Sequence, residues 1–383
     1  MTPKERITAA LLGEDVDYTP CVPTFWTGAP EREAFKWRDE EEMLEFLLRK
    51  LGVDAVLWFS IPHSQPPFRS WVEQVPGERY PLLHSEVDTP KGKLRATVRK
   101  TDDYPYDHVP FFSDWAVSRY VKPWIETLED VEKFASTYRP PDGEVLSEAE
   151  ERLEHLRKLG EKWNVPVVGA GLFALNAPIH LMGAERAVLT SVDSPEVIDS
   201  LNEVVHSVNR RKLETMLSWG VKIVVRNGWY DTTDFWSPKQ YERWVVPHLR
   251  EDIELVRSAD GIFVYQACTG IRPLLPILRG LDFHCLLEPE PVLGGIDMAE
   301  LKAALPGKSF WGGISAPVHI GEGTPENVRK AVREAFSAFG KRGFILKAVP
   351  SIRAHWPWEN VLAMVDEWKR LRYPREELCS GRG

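Results

Sequence analysis

Residues 261–290 read GIFVYQACTGIRPLLPILRGLDFHCLLEPE, and the architecture follows from them. The run 261–266 carries no polar side chain before Gln266 apart from the Tyr265 hydroxyl, so it predicts a strand buried on both faces rather than one with a wet side. It stops at Gln266, Cys268 and Thr269, and Gly270 breaks the chain. Residues 271–279 then predict a helix. A second apolar run, 283–287, ends at Glu288, Pro289 and Glu290. Strand, helix and strand without polar alternation is the pattern of a parallel pair. The same pattern recurs on both sides. Apolar runs lie at 166–170, 222–226, 309–311 and 344–347, and helical stretches at 194–219, 238–257, 297–304, 325–340 and 358–371. Towards the N-terminus, VDAVLWFS (53–60) predicts a buried strand after an amphipathic helix over 41–51. YTPCVPTFW (18–26) is extended, because Pro20 and Pro23 keep it out of a helix. Thr2, Pro3 and Glu5 predict a capped helix that stops at Gly13. Counting strands near Val22 and Val56 gives eight βα units. These predict an α/β fold, a (β/α)8 TIM barrel. A doubly wound open sheet is the alternative, but no GxGxxG follows the first strand.

Residues 61–145 depart from this pattern. They are rich in proline, carry a hairpin signal at TPKGK (89–93), and alternate over LRATVR (94–99). They predict a partly antiparallel insertion after the second strand, with helices at 128–138 and 146–162. The expected organisation is one barrel domain over 1–383, with a frayed tail at 374–383 that holds Cys379. Of the 383 residues, 43% are hydrophobic and 27% charged, which is ordinary globular usage. The net charge is −9 and no Lys/Arg run supplies a clustered basic face, which argues against a nucleic-acid partner. No apolar run of about 18 residues occurs, so no membrane span is expected. The charged N-terminus, without an apolar signal core, predicts a cytoplasmic protein. The four cysteines are widely spaced and form no CxxC pair, so neither a disulfide framework nor a zinc ribbon is expected.

A barrel of this kind carries its function at the C-terminal ends of its strands. That rule nominates Trp26 after the first strand, His63 after the second, and Arg226, Trp229, Tyr230 and Asp231 after the fourth. It nominates Gln266 and Cys268 after the fifth, Glu288 with Glu290 after the sixth, and Lys347, Arg353 and His355 after the eighth. Asp231 reads either as an acid/base group or as a structural hydrogen-bond acceptor. Asp234 reads as a cap for the helix that begins at Ser237-Pro238. Cys268 reads as a nucleophile or metal ligand, or as a small buried hydrophobe. Cys268 with Glu288 is a weak candidate metal pair, since no ligand spacing supports it. Lys347 ends an otherwise apolar strand, so its ammonium is expected at the rim. His355 sits among tryptophans and reads as a structural or exposed histidine. The 15 tryptophans include some expected to wall a pocket for a flat ligand.

Taken together, TPKERITAALLGEDVDYTP (2–20), TPKGKLRATVRK (89–100), SPKQYERWVVPHL (237–249), VYQACTG (264–270), GIDMAELKAALPGKSFWGGI (295–314), GTPENV (323–328) and PWENVLAM (357–364) resemble the uroporphyrinogen decarboxylase superfamily. That superfamily includes corrinoid-dependent methyltransferases. The resemblance implies a (β/α)8 barrel and suggests a homodimer. The chain also departs from it. Phe25 stands where decarboxylases carry an Arg, and Ile61 where they carry the Asp that holds pyrrole N–H groups. Arg69, Arg226, Arg272 and Arg353 are candidates to compensate. The zinc-dependent methyltransferases carry His-x-Cys at the fifth strand and a second Cys near the eighth. Here the first is Gln266-Ala267-Cys268, and LKAVPSIRAHW (346–356) lacks the second.

Three functions follow. The first is methyl transfer in one-carbon chemistry, with a small-molecule substrate and a corrinoid carried by a partner protein. In it Asp231, Cys268 and Glu288 are the catalytic candidates. Zinc is possible there, although the family's ligand triad is incomplete. The second is decarboxylation of uroporphyrinogen or a related acid. The third is a catalytically silent barrel that binds a tetrapyrrole or a partner.

Overall fold

A computed structural model of the protein describes residues 1–28, 32–64 and 67–373. The expected tail at 374–383, with Cys379, lies outside the described residues. The strands are β1 (Leu57–Phe59), β2 (Arg69–Glu73), β3 (Leu82–Thr89), β4 (Gly92–Arg99), β5 (Tyr120–Lys122), β6 (Val167–Phe173), β7 (Ile223–Asn227), β8 (Ile262–Gln266), β9 (Cys285–Leu287), β10 (Ser309–Ser315) and β11 (Phe344–Val349). They form a seven-stranded sheet in the order β1-β6-β7-β8-β9-β10-β11 and a four-stranded sheet in the order β2-β3-β4-β5. Helices alternate with the strands of the larger sheet, so the fold is α/β. Where eight strands were expected, the larger sheet has seven. The expected first strand is present only as isolated parallel bridges, Cys21 to Leu346 and Phe25 to Ile352. Pro20 and Pro23 each lack an N–H, so a regular ladder cannot run through them.

The chain divides into two compact units. The first comprises Met1–Trp58, His155–Val168 and the chain from Ile262 onward. In it β8, β9, β10 and β11 pair in parallel, with Val264 opposite Cys285, Ser309 opposite Cys285 and Phe310 opposite Phe344. Every residue of β8 through β11 is buried. This is why these strands read as unbroken apolar runs. Residues 20–26 lie along β11. The amides of Val22 and Trp26 donate to Leu346 and Ile352, and those of Leu346 and Ile352 donate back to Pro20 and Thr24. The N-terminal helix Pro3–Leu12 has the expected Thr2/Glu5 capping box and ends on Gly13 at φ 70°. Its buried Arg6 donates to Asp17 and to Asp54.

The second unit comprises Phe59–Glu154 and Gly169–Gly261. It holds the antiparallel sheet, with β3 and β4 joined across Thr89 and Gly92 where the hairpin was expected. It also holds the helices Asn176–Met182 and Ala184–Asp193, which the sequence pattern did not announce. All seven residues of Asn176–Met182 are buried, so no polar face supplies a period. The helix expected over 238–257 is two, Pro238–Trp244 and Val246–Ser258. Pro247 lacks an N–H and its ring clashes with the preceding turn, so it starts a new helix. Among the described residues no helix is long and apolar enough to cross a membrane.

Candidate active site

In the first unit, the ends of β8 and β9 and the interior of β11 bring four of the nominated residues together; Lys347, expected to end its strand with the ammonium at the rim, is instead buried within β11, which runs on to Val349. Strand β11 reads FILKAV, and Lys347 is its single polar residue. Its ammonium is 1% exposed and lies 2.5 Å from Glu288 Oε1. It also donates to Thr24 Oγ1 at 2.6 Å. Glu288 is 3% exposed and follows the last residue of β9. Its second oxygen accepts from Gln266 Nε2 at 2.6 Å and from the Cys268 thiol at 3.8 Å. A buried carboxylate and a buried ammonium each cost several kcal/mol of lost hydration. Opposite charge at contact distance, together with the Thr24 and Gln266 hydrogen bonds, offsets that cost.

Glu288 is held by its backbone as well. Its φ is +65°, in the left-handed region that residues with a Cβ avoid. The Glu288 amide donates to the Trp311 carbonyl at 2.8 Å. Strain of this kind persists only where the surroundings over-determine it, and it concentrates at functional sites. Next to the pair stands Trp311, fully buried, with the Lys347 ammonium 6.0 Å from its ring centroid. Trp58 stacks on Trp311 at 5.9 Å and 15°. Trp58 is 37% exposed, whereas its β1 neighbours Leu57 and Phe59 are buried. Trp58 therefore offers a partly exposed flat face backed by buried Trp311.

Burial raises the Cys268 thiol well above its ordinary value, and the Glu288 carboxylate raises it further. Cys268 is accordingly a thiol that donates to Glu288, not a resting thiolate. This donor set does not fit the zinc that the family resemblance implies. Gln266 turns its amide N–H, not a lone pair, toward Glu288, and an ammonium already occupies the carboxylate's other oxygen. Cys268 and Glu288 do meet, as the weak metal pair required, but around a lysine.

The remaining candidates of this unit lie on the 20–26 segment and the loop after β11. The Arg353 guanidinium stacks on Trp26, 4.0 Å from the ring centroid. His355 is exposed and rests edge-on against Trp356. Glu290 sits apart in function: its Oε2 accepts the amides of Val292, Leu293 and Gly294, so it caps its own loop. Phe25 packs against Phe35, Phe46 and Trp358.

The second unit holds the other candidates. Asp231 is completely buried, and its Oδ1 accepts the Leu175 amide at 2.9 Å. It thereby caps the start of the helix Asn176–Met182. Arg226 is also buried, ion-paired with buried Asp252 of the helix Val246–Ser258. Tyr230 donates to Asp114 Oδ1 at 2.7 Å, and His180 Nε2 meets the same oxygen at 2.9 Å. Burial and the Asp114 charge push the Tyr230 phenol up, so it stays a donor. Trp229 is 37% exposed. His63 packs among Tyr138 and Phe112. The helix expected to be capped by Asp234 is capped by Ser237, whose hydroxyl accepts the Gln240 amide.

Sequence reasoning missed Thr24, Trp58 and Trp311 in the first unit, and Asp114 and His180 in the second. Thr24 carries no charge to flag it, and Trp311 lies in mid-sheet.

A profile of the family described as "Uroporphyrinogen decarboxylase (URO-D)" matches residues 88–371. Among solved structures, a methyltransferase from Methanosarcina mazei is similar, with 17% identity, TM-score 0.58, and coverage of 97% of this chain and 99% of that one. A B12-independent methionine synthase from Shewanella sp. W3-18-1, in complex with selenomethionine, has 10% identity, TM-score 0.51, and coverage of 92% and 96%. At these identities the likeness is one of fold. No curated protein matches the chain.

Proposed function

The chain belongs to the uroporphyrinogen decarboxylase family, and from that premise we propose that it is an enzyme of methyl transfer, with the Glu288 carboxylate as its base. The observation that carries this reading is the fixing of Glu288 by Lys347, Gln266 and Cys268. A carboxylate locked by an ammonium on one oxygen keeps the other aimed, and that oxygen already accepts from a thiol. An acceptor R–XH docking there gives its proton to Glu288. X then attacks the methyl carbon of the donor, a C–X bond forms, the carbon–leaving-group bond breaks, and the leaving group departs with its electron pair. Lys347 holds Glu288 in place, and the exposed Trp58 ring suits a flat or methylated ligand. A corrinoid on a partner protein is the proposed methyl carrier. The family's (β/α)8 barrel belongs to the same reading.

The decarboxylase reading has less support. It needs free cationic groups for a polycarboxylate. Of the candidates, Arg226 is bound to Asp252, Arg272 to Glu300, and Arg353 stacks on Trp26. The test is turnover of methylcobalamin with a panel of small thiol and amine acceptors, followed by the corrinoid spectrum. Wild type is expected to demethylate it, and Glu288→Gln to lose about 10²-fold or more, the range for a positioned base. Decarboxylation of uroporphyrinogen without any demethylation would reverse the order of the two readings. No reaction and no ligand binding would favour the silent barrel.

A further inference from the structure

On the second unit, two helices present a set of ligating side chains that the proposed reaction does not use. His206 lies on the helix Pro195–Ser218; His248 and Glu251 lie on the helix Val246–Ser258. The imidazole rings stack at 3.9 Å and 26°. His206 Nε2 is 3.2 Å from Glu251 Oε2, and His248 Nε2 is 3.3 Å from Glu203 Oε1. One ligand atom each from His206, His248 and Glu251 falls within 4.8 Å of the other two. We propose that His206, His248 and Glu251 form a binding site for a divalent transition-metal ion, zinc in the first instance, that clamps these two helices.

Several observations support the assignment. Two imidazoles and one carboxylate are a donor set of the kind zinc takes, with a fourth position left to water. Glu251 is exposed, so that position is open to solvent. Ligands about 2.1 Å from a tetrahedral ion lie about 3.4 Å apart, so small side-chain rotations bring this cluster into range. The surrounding charge suits a cation. Glu203, Glu251 and Asp252 outnumber Arg210, which pairs with Glu251 at 2.9 Å, and Arg226, which pairs with Asp252. Finally, His206 Nδ1 is buried without a hydrogen-bond partner.

The test is calorimetric titration of the metal-stripped full chain with zinc chloride, with cobalt(II) absorption as a second readout of coordination. Wild type is expected to bind one equivalent, and the ion to raise the Tm. His206→Ala and His248→Ala should each weaken binding at least tenfold, and the double variant should abolish it. Glu251→Gln, on an exposed side chain that folding does not need, should weaken it several-fold and change the cobalt spectrum. Cys268→Ser should leave the isotherm unchanged. Circular dichroism of each variant without metal separates lost binding from lost fold. Absence of binding in wild type, binding that survives the double histidine variant, or binding lost with Cys268→Ser would each overturn the proposal.

Discussion

Replacing Lys347 with Met keeps the length of the side chain and removes its charge. Glu288 is then left as a buried carboxylate with no counter-ion. Lys347 and Glu288 are 1% and 3% exposed, so little solvent screens the loss. Breaking one side of such a pair costs about 3–5 kcal/mol. At about 2.1 cal/mol/K of unfolding entropy per residue, a chain of 383 residues loses about 4–6 °C of Tm in a single transition. The shift is about twice that where the unit holding the pair melts alone. The assay is differential scanning calorimetry of wild type, Lys347→Met, Glu288→Gln and the double variant. The double variant contains neither charge, so it should recover much of the loss and show strong positive coupling. An unchanged Tm, or a double variant as unstable as the two single losses summed, would refute the reasoning.

Two further outcomes are expected. Asp231→Ala removes the acceptor for the Leu175 amide and should cost about 1–3 kcal/mol of stability by denaturant titration, whereas Asp231→Asn keeps an acceptor oxygen and should cost less. His206 is held near pKa 4 in the fold, below the ordinary histidine value, so between about pH 6.5 and 4 the unfolded chain binds the extra proton. Stability should fall as pH drops through that window, and His206→Gln should flatten the fall in Tm measured across it.

The sheet was legible because its strands are buried on both faces. Runs such as IFVYQ and FILKAV have no other stable placement. The site was legible in part, through the rule that function gathers at strand ends, and this brought Gln266, Cys268, Glu288 and Lys347 forward without a motif. Arg226 shows where the rule is too coarse. It was grouped with the loop residues that follow it, although β7 alternates, so Arg226 shares a face with Val224 while Asn227 shares one with Val225. Strict period-two counting would have sent Arg226 toward a helix, where it meets Asp252. The break at Val245 was also within reach, because Pro247 cannot continue a helix. The pairing of Lys347 with Glu288 was not, because contacts between loops depend on how strands are staggered, and no local pattern encodes that. The left-handed turn at Glu288 was hidden for a related reason: the sequence offers a glutamate where this conformation favours glycine.

The antiparallel sheet also bears on how the protein behaves in concentrated solution. Its rims are β2 and β5, five and three residues long. A strand at a rim has backbone groups free to pair with another chain, and Trp71, Val72 and Val121 there are exposed. Arg69 and Glu73 bound one rim, and Lys122 followed by Pro123 ends the other. Charge and an imino acid at these points discourage strand-to-strand recruitment, so neutralising them should make the chain self-associate through this sheet before its core loosens.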